Sequence, residues 1–66
     1  MNIKDLIESK ITWSPTENYH SIFESVINGK TVFLKVNQSA GKSRYTISDD
    51  RESLDIEEKP VAWRFE

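Results

Sequence analysis

Residues 19–36 form two stretches of alternating apolar and polar side chains, and the dipeptide Asn28-Gly29 separates them. Both stretches are rich in β-branched and aromatic residues, which is typical of β-strands. Asn-Gly is a preferred sequence of the type I′ turn, in which both central residues need a positive φ. The pattern therefore predicts a tight hairpin in which Ile27 pairs with Lys30 and Phe23 lies opposite Leu34. A bulged three-residue turn is the alternative, and it would exchange the two faces of one strand.

The two faces of this predicted hairpin differ in composition. One face is apolar and carries Tyr19, Phe23, Val32, Leu34 and Val36. The other face is mixed and carries His20, Ile22, Glu24, Val26, Thr31, Phe33 and Lys35. An apolar centre with charged flanks suits a reversible interface better than a second core. We therefore predict that the partner-binding residues are Ile22, Val26, Phe33, Lys35 and His20. The alternative is that Trp13 or the strip of Val61, Trp63 and Phe65 folds over this face and buries it.

A second hairpin follows from the segments "RYTIS" and "SLDIE", which the polar turn "DDRE" separates. A four-residue turn places Ile47 opposite Leu54 and Tyr45 opposite Ile56. The apolar side chains then coincide across the pair, which supports this register. The segment "NQSAGKS" between the two hairpins is predicted to be a polar loop.

The two ends of the chain complete the predicted fold. The stretch "NIKDLIESKI" has apolar residues at helical spacing, and it predicts a short amphipathic helix with Asn2 as its cap. "TWSPTEN" is predicted to be a connector because Pro15 interrupts regular structure. Residues 61–66 are predicted to be an edge strand or a packed tail. The predicted fold class is α+β, with a short N-terminal helix packed on a four- to five-stranded antiparallel meander, and residues 1–66 form one domain.

Composition narrows the range of functions. The 66 residues include no cysteine, which excludes disulfides and thiolate metal sites. A domain of this size leaves little room for the pocket of about 300 Å³ or more that a small ligand needs. No apolar run approaches a membrane span of about 20 residues, and charges in the first ten residues argue against a signal peptide. We therefore expect a cytoplasmic protein that does not bind a membrane.

Candidate chemistry is sparse. Gly41-Lys42-Ser43 matches the end of a phosphate-binding loop, but Val36 stands where the first glycine of that motif belongs, and a strand pattern follows the triplet. His20 is the only histidine, so it has no second histidine or cysteine with which to hold a metal. The acidic run "DDRESLDIEE" lacks the glycine of a calcium-binding loop. The sequence thus predicts no enzyme activity, no catalytic residue, no metal and no cofactor.

Charge is unevenly distributed, although the net charge is only −2. Residues 30–44 contain four cations and no acid, whereas residues 49–58 contain six acids and one cation. Cations with aromatic residues between them are found in single-strand nucleic-acid-binding proteins. The adjoining acids would repel phosphate, so a nucleic-acid partner is the alternative and not the leading prediction.

The segments "INGKTVFLKVN" and "YTISDDRESLDIEEKPVAW" resemble small uncharacterised bacterial proteins, many of them cyanobacterial. These proteins look like a short helix, an NGK hairpin, a Y-T strand and a closing P-x-x-W. The matching positions are Asn28, Gly29, Lys30, Asn37, Tyr45, Thr46, Pro60 and Trp63. The chain departs from them at "QSAGKS", where they often carry an acidic, proline-containing link. The resemblance implies the predicted fold and carries no activity.

Three observations favour one class of function. The chain is small, it has no catalytic constellation, and one helix leaves a face of the predicted sheet uncovered. We expect a small non-enzymatic protein-interaction module, such as an inhibitor, an immunity-type protein or an adaptor. Its partner would be another protein or a second copy of the chain. The alternative is a nucleic-acid-binding module that uses residues 30–44.

Overall fold

The computed structural model describes residues 2–17 and 21–66. These residues form one short helix, α1 (Ile3–Leu6), and six strands: β1 (Ile11–Pro15), β2 (Ile22–Ile27), β3 (Lys30–Ser39), β4 (Lys42–Ser48), β5 (Ser53–Ile56) and β6 (Trp63–Phe65). The strands make one sheet in the order β5-β4-β3-β2-β1-β6. The sheet is mixed and curls into half a barrel.

The first predicted hairpin is confirmed. Ile27 pairs with Lys30 and Phe23 with Leu34 along β2 and β3. Asn28 and Gly29 have φ values of 52° and 80°, as a type I′ turn requires. The tight turn fixes the register, so the two faces of the hairpin are the predicted ones. Of the face residues, Tyr19 and His20 lie outside the described residues.

The second predicted hairpin is also confirmed. Tyr45 pairs with Ile56, and Ile47 with Leu54. The turn is held by Asp49, whose Oδ1 accepts the backbone N–H groups of Arg51 at 2.8 Å and Glu52 at 2.9 Å. An acidic residue at the start of a turn often binds the following backbone in this way.

The predicted loop over "NQSAGKS" is wrong, because this segment is a third hairpin. β3 continues to Ser39, and β4 begins at Lys42, which pairs with Ser39. Only Ala40 and Gly41 form the turn, with φ values of 53° and 77°. Polar residues here belong to strands that extend beyond the core, where both faces are solvated.

The predicted α+β class is wrong, because the fold is mostly β, with 56% strand and 6% helix. The helix has four residues, and Ile11 belongs to β1 and not to the helix. The expected connector is also part of β1, which ends at Pro15 and pairs there with Phe23 of β2. A proline is tolerated at the end of a strand, so it limits β1 without preventing it.

The sheet is not a simple antiparallel meander. β6 pairs with β1 in parallel, with Ile11 opposite Trp63 and Trp13 opposite Phe65. The predicted C-terminal strand therefore exists. It lies next to β1 and forms the edge of the sheet opposite β5. The backbone N–H of Glu66 donates to the Trp13 carbonyl at 3.0 Å and continues this pairing.

One side of the curled sheet holds the core. Its buried members are Ile3, Leu6, Ile11, Trp13, Val32, Leu34, Ile47 and Trp63. The rings of Trp13 and Trp63 meet edge to face at 5.1 Å, and those of Phe23 and Phe65 at 4.9 Å. α1 does not cover the sheet as a predicted ten-residue helix would. It adds Ile3 and Leu6 to the core, and the Ile3 N–H donates to Glu52 Oε1 at 2.8 Å.

Candidate functional site

The side of the sheet opposite the core is called the outer face here, and it carries four of the five predicted binding residues. Side chains alternate between the two sides of a strand. Since Phe23, Val32 and Leu34 pack in or against the core, the outer face carries Ile22, Glu24 and Val26 of β2 together with Thr31, Phe33 and Lys35 of β3. The fifth predicted residue, His20, lies outside the described residues.

Strand register places four outer-face residues at the corners of a small four-sided patch. Glu24 is directly opposite Phe33, and Ile22 is directly opposite Lys35. Opposite Cβ atoms lie about 4.5–5.5 Å apart, and diagonal neighbours are within reach of an aromatic ring. The apolar side chains of Ile22 and Phe33 therefore occupy one diagonal, and the opposite charges of Glu24 and Lys35 occupy the other. We call this set the β2–β3 square.

The apolar residues of this face are open to solvent. Phe33 is 43% exposed and Val26 is 70% exposed, whereas Ile22 is half-buried. β3 has partners on both sides, so Phe33 lies in the interior of the sheet and not at its edge. An exposed aromatic residue at the centre of a surface, with a polar rim, is the usual arrangement of an interface anchor.

The alternative covering of this face is wrong. Trp13 and Trp63 are in the core, and Phe65 packs against that core through its contact with Phe23. Val61 is fully exposed in the turn before β6. None of the four side chains that were candidates to cover the outer face buries Phe33.

The register of the second hairpin places a polar pair, Thr46 and Asp55, on the outer face, and the sequence-based prediction of the binding residues did not include it. Thr46 lies opposite both Lys35 of β3 and Asp55 of β5, so all three belong to the outer face. The Thr46 hydroxyl donates to Asp55 Oδ1 at 2.7 Å. The predicted pairing of Ile47 with Leu54 already implied this contact, because adjacent residues pair on the opposite side.

The predicted basic segment is not a uniform cationic surface. Lys42 and Arg44 lie in an open cleft of about 590 Å³ whose lining also includes Glu57 and Glu58. Lys30 Nζ lies 4.0 Å from Asp50 Oδ1. Acidic groups therefore accompany three of the four cations, and they lower the positive potential that a phosphate backbone requires.

The Gly41-Lys42-Ser43 triplet lies in a hairpin and not in front of a helix. Gly41 is a turn residue with a φ of 77°, and Lys42 and Ser43 begin β4. The helix N-terminus that receives phosphate in such loops is replaced here by a strand. Within residues 2–17 and 21–66, no group of three or more His, Asp or Glu side chains is placed to hold a metal ion.

The β4–β5 turn has the one clearly shifted acid among the described residues. The pKa of the Asp49 carboxyl lies below its ordinary value because the backbone N–H of Arg51 donates to it, with a further donor from Glu52. Hydrogen bonds to the charged form favour that form. The shift reflects the turn and does not indicate a catalytic acid or base.

Comparison with protein-family models, curated proteins and solved structures found no match. In the part of the chain that the structure describes, no helix is both long and apolar enough to cross a membrane.

Proposed function

We propose that this chain is a non-enzymatic protein-interaction module that binds its partner through the outer face of the sheet. An inhibitor, an immunity-type protein or an adaptor would act in this way, by surface complementarity alone. The cytoplasm is the compartment that we expect for it.

The observation that carries the proposal is the exposure of Phe33 and Val26 on a face with charged neighbours. Their exposed fractions are 43% and 70%. Aromatic residues are enriched at binding hot spots, where a polar rim excludes water from an apolar centre. Ile22, Glu24 and Lys35 provide the neighbouring apolar and charged groups.

Nucleic acid is the less favoured partner. One feature favours a nucleic-acid partner: strand register places three cations on the same face as Phe33, namely Lys35, Lys42 and Arg44. A second feature disfavours a nucleic-acid partner, because the acids Glu57 and Glu58 line the same cleft as Lys42 and Arg44. A protein surface with both signs of charge matches this distribution better.

Phe33→Glu tests the proposal. We expect the variant to stay folded, because Phe33 is outside the core, and to lose its binding partner, because a carboxylate would be desolvated at the centre of the interface. Tagged wild type and variant would be used to capture proteins from the source cell, with bound proteins identified by mass spectrometry. Circular dichroism would establish that both are folded.

Val61→Glu is the matched control, since it makes the same kind of change at an exposed apolar residue in the turn before β6, outside β2 and β3. The proposal requires that this control retains the partner that Phe33→Glu loses. Equal capture by all three proteins would contradict an interface on the outer face. An unfolded Phe33→Glu would mean that Phe33 belongs to the core.

A further inference from the structure

The β2–β3 square has a pattern that is complementary to itself. From it we propose that the outer face binds a second copy of this chain, as a two-fold dimer whose axis runs along the diagonal through Ile22 and Phe33. This inference rests on the proposed function, because it assumes that the outer face is an interface, and it adds the identity of the partner.

The geometry follows from the strand register. In β2, Ile22 and Glu24 are successive residues of the outer face, and in β3 Lys35 and Phe33 stand opposite them in that order. A two-fold axis in the plane of contact reflects the square across the axis line. Residues on the axis meet their own copies, and residues off the axis exchange places.

An axis along the apolar diagonal satisfies every corner of the square. Phe33 packs on Phe33 and Ile22 on Ile22 of the second copy, which removes the exposed ring from water. Glu24 of each copy meets Lys35 of the other, so two opposite-charge contacts flank the apolar centre. Such a central anchor with complementary charges around it favours both affinity and a single register.

The other simple axes through Phe33 are disfavoured by charge. An axis along β3 places Lys35 on Lys35, and an axis across the strands places Glu24 on Glu24. Like charges brought together at an interface oppose association. The diagonal axis makes the strands of the two sheets cross at a steep angle, which approaches the orthogonal class of sheet packing.

The shape of the sheet limits the size of this contact. The core lies on the concave side of the curled sheet, so the outer face is convex. Two convex faces touch at their centres, where the β2–β3 square lies, and separate towards their edges. We therefore expect a reversible dimer with a small interface and not an obligate one.

Charge exchange between the two polar corners tests the arrangement. Glu24→Lys and Lys35→Glu should each weaken self-association, with a dissociation constant at least about tenfold higher, because each brings like charges together twice. An equimolar mixture of the two variants should regain the wild-type dimer as a heterodimer, since position 24 of each then faces an opposite charge at position 35 of the other. Sedimentation equilibrium on the full chain measures the dissociation constant of each variant and of their mixture.

The control substitutions Lys4→Glu and Glu8→Lys make the same charge changes at two exposed residues near the N-terminus. They should leave the dissociation constant of the dimer unchanged and should show no recovery on mixing. A wild-type chain that stays monomeric up to millimolar concentration overturns the inference. If that monomer still captures another protein through Phe33, the proposed function stands. A wild-type dimer that the mixture does not restore overturns the diagonal two-fold arrangement.

Discussion

Two turns of the same geometry are made by different residues. Asn28-Gly29 and Ala40-Gly41 each have two consecutive positive φ values, 52° and 80° in the first and 53° and 77° in the second. Asparagine tolerates the left-handed region, whereas alanine is strained there by about 1–2 kcal/mol. Apart from the adjacent residues of the chain, nothing lies within 4 Å of the position that a Cβ would take at either glycine, so substitutions there act through backbone strain.

Ala40→Asn should therefore stabilise the protein, by about 1 kcal/mol, because asparagine relieves the strain at a residue that faces solvent. Chemical denaturation measures the change. Asn28→Ala is the reverse substitution in the equivalent turn, and it should lower the stability by at least as much. No gain from Ala40→Asn would show that the Ala40 turn relaxes without strain.

Asp49 predicts a dependence of stability on pH. A carboxyl whose folded pKa is lowered stabilises the fold above its unfolded pKa, about 3.9 for aspartate, and this contribution is lost as the pH falls through the folded pKa. Asp49→Asn keeps an acceptor oxygen but has no charge. Wild type should be the more stable of the two at neutral pH, and the difference should shrink below about pH 4. Urea denaturation of both proteins, at neutral pH and below about pH 4, measures the difference in their free energies of unfolding. A difference that stayed constant between the two conditions would contradict this prediction.

Among the elements, the β2–β3 and β4–β5 hairpins were predictable, whereas the β3–β4 hairpin, strand β1 and the position of β6 in the sheet were not. Asn28-Gly29 and the alternation around it fix the pairing of β2 with β3, and the matching of Ile47 with Leu54 fixes that of β4 with β5. These signals act over a few residues. The sequence pattern predicts a helix and a connector in place of β1, because Ile11 continues a helical spacing and Pro15 follows soon after. Its partner β6 lies at the far end of the chain, beyond any local pattern.

β6 has three residues, and we expect Trp63 to determine whether it forms. The Trp63 side chain is 1% exposed and packs edge to face on Trp13. Replacing a buried aromatic residue by alanine costs about 3–5 kcal/mol, which is comparable to the whole stability of so small a domain. Trp63→Ala should therefore abolish the cooperative thermal transition in circular dichroism. Val61→Ala, at a fully exposed site two residues earlier, should leave it unchanged.

The candidate site was predictable only in part. Alternation in β2 and β3 placed Ile22, Val26, Phe33 and Lys35 on one face, and the structure places them there. Whether that face is covered depended on where Trp13 and Trp63 pack. Their position in the core follows from the parallel pairing of β1 with β6, which the sequence pattern did not predict.

The parallel pairing of β1 with β6 also makes the core depend on two segments that are synthesised at different times. β2 to β5 are joined by tight turns, so their contacts can form as soon as each strand has been synthesised. Trp13 precedes β2 to β5 in the sequence, but the ring that packs on it belongs to Trp63, which follows them. Since domains generally fold as units during synthesis, a nascent chain that stops before Trp63 has an incomplete core. β6 therefore completes the core, and its Trp63 is the last of the buried residues to be synthesised.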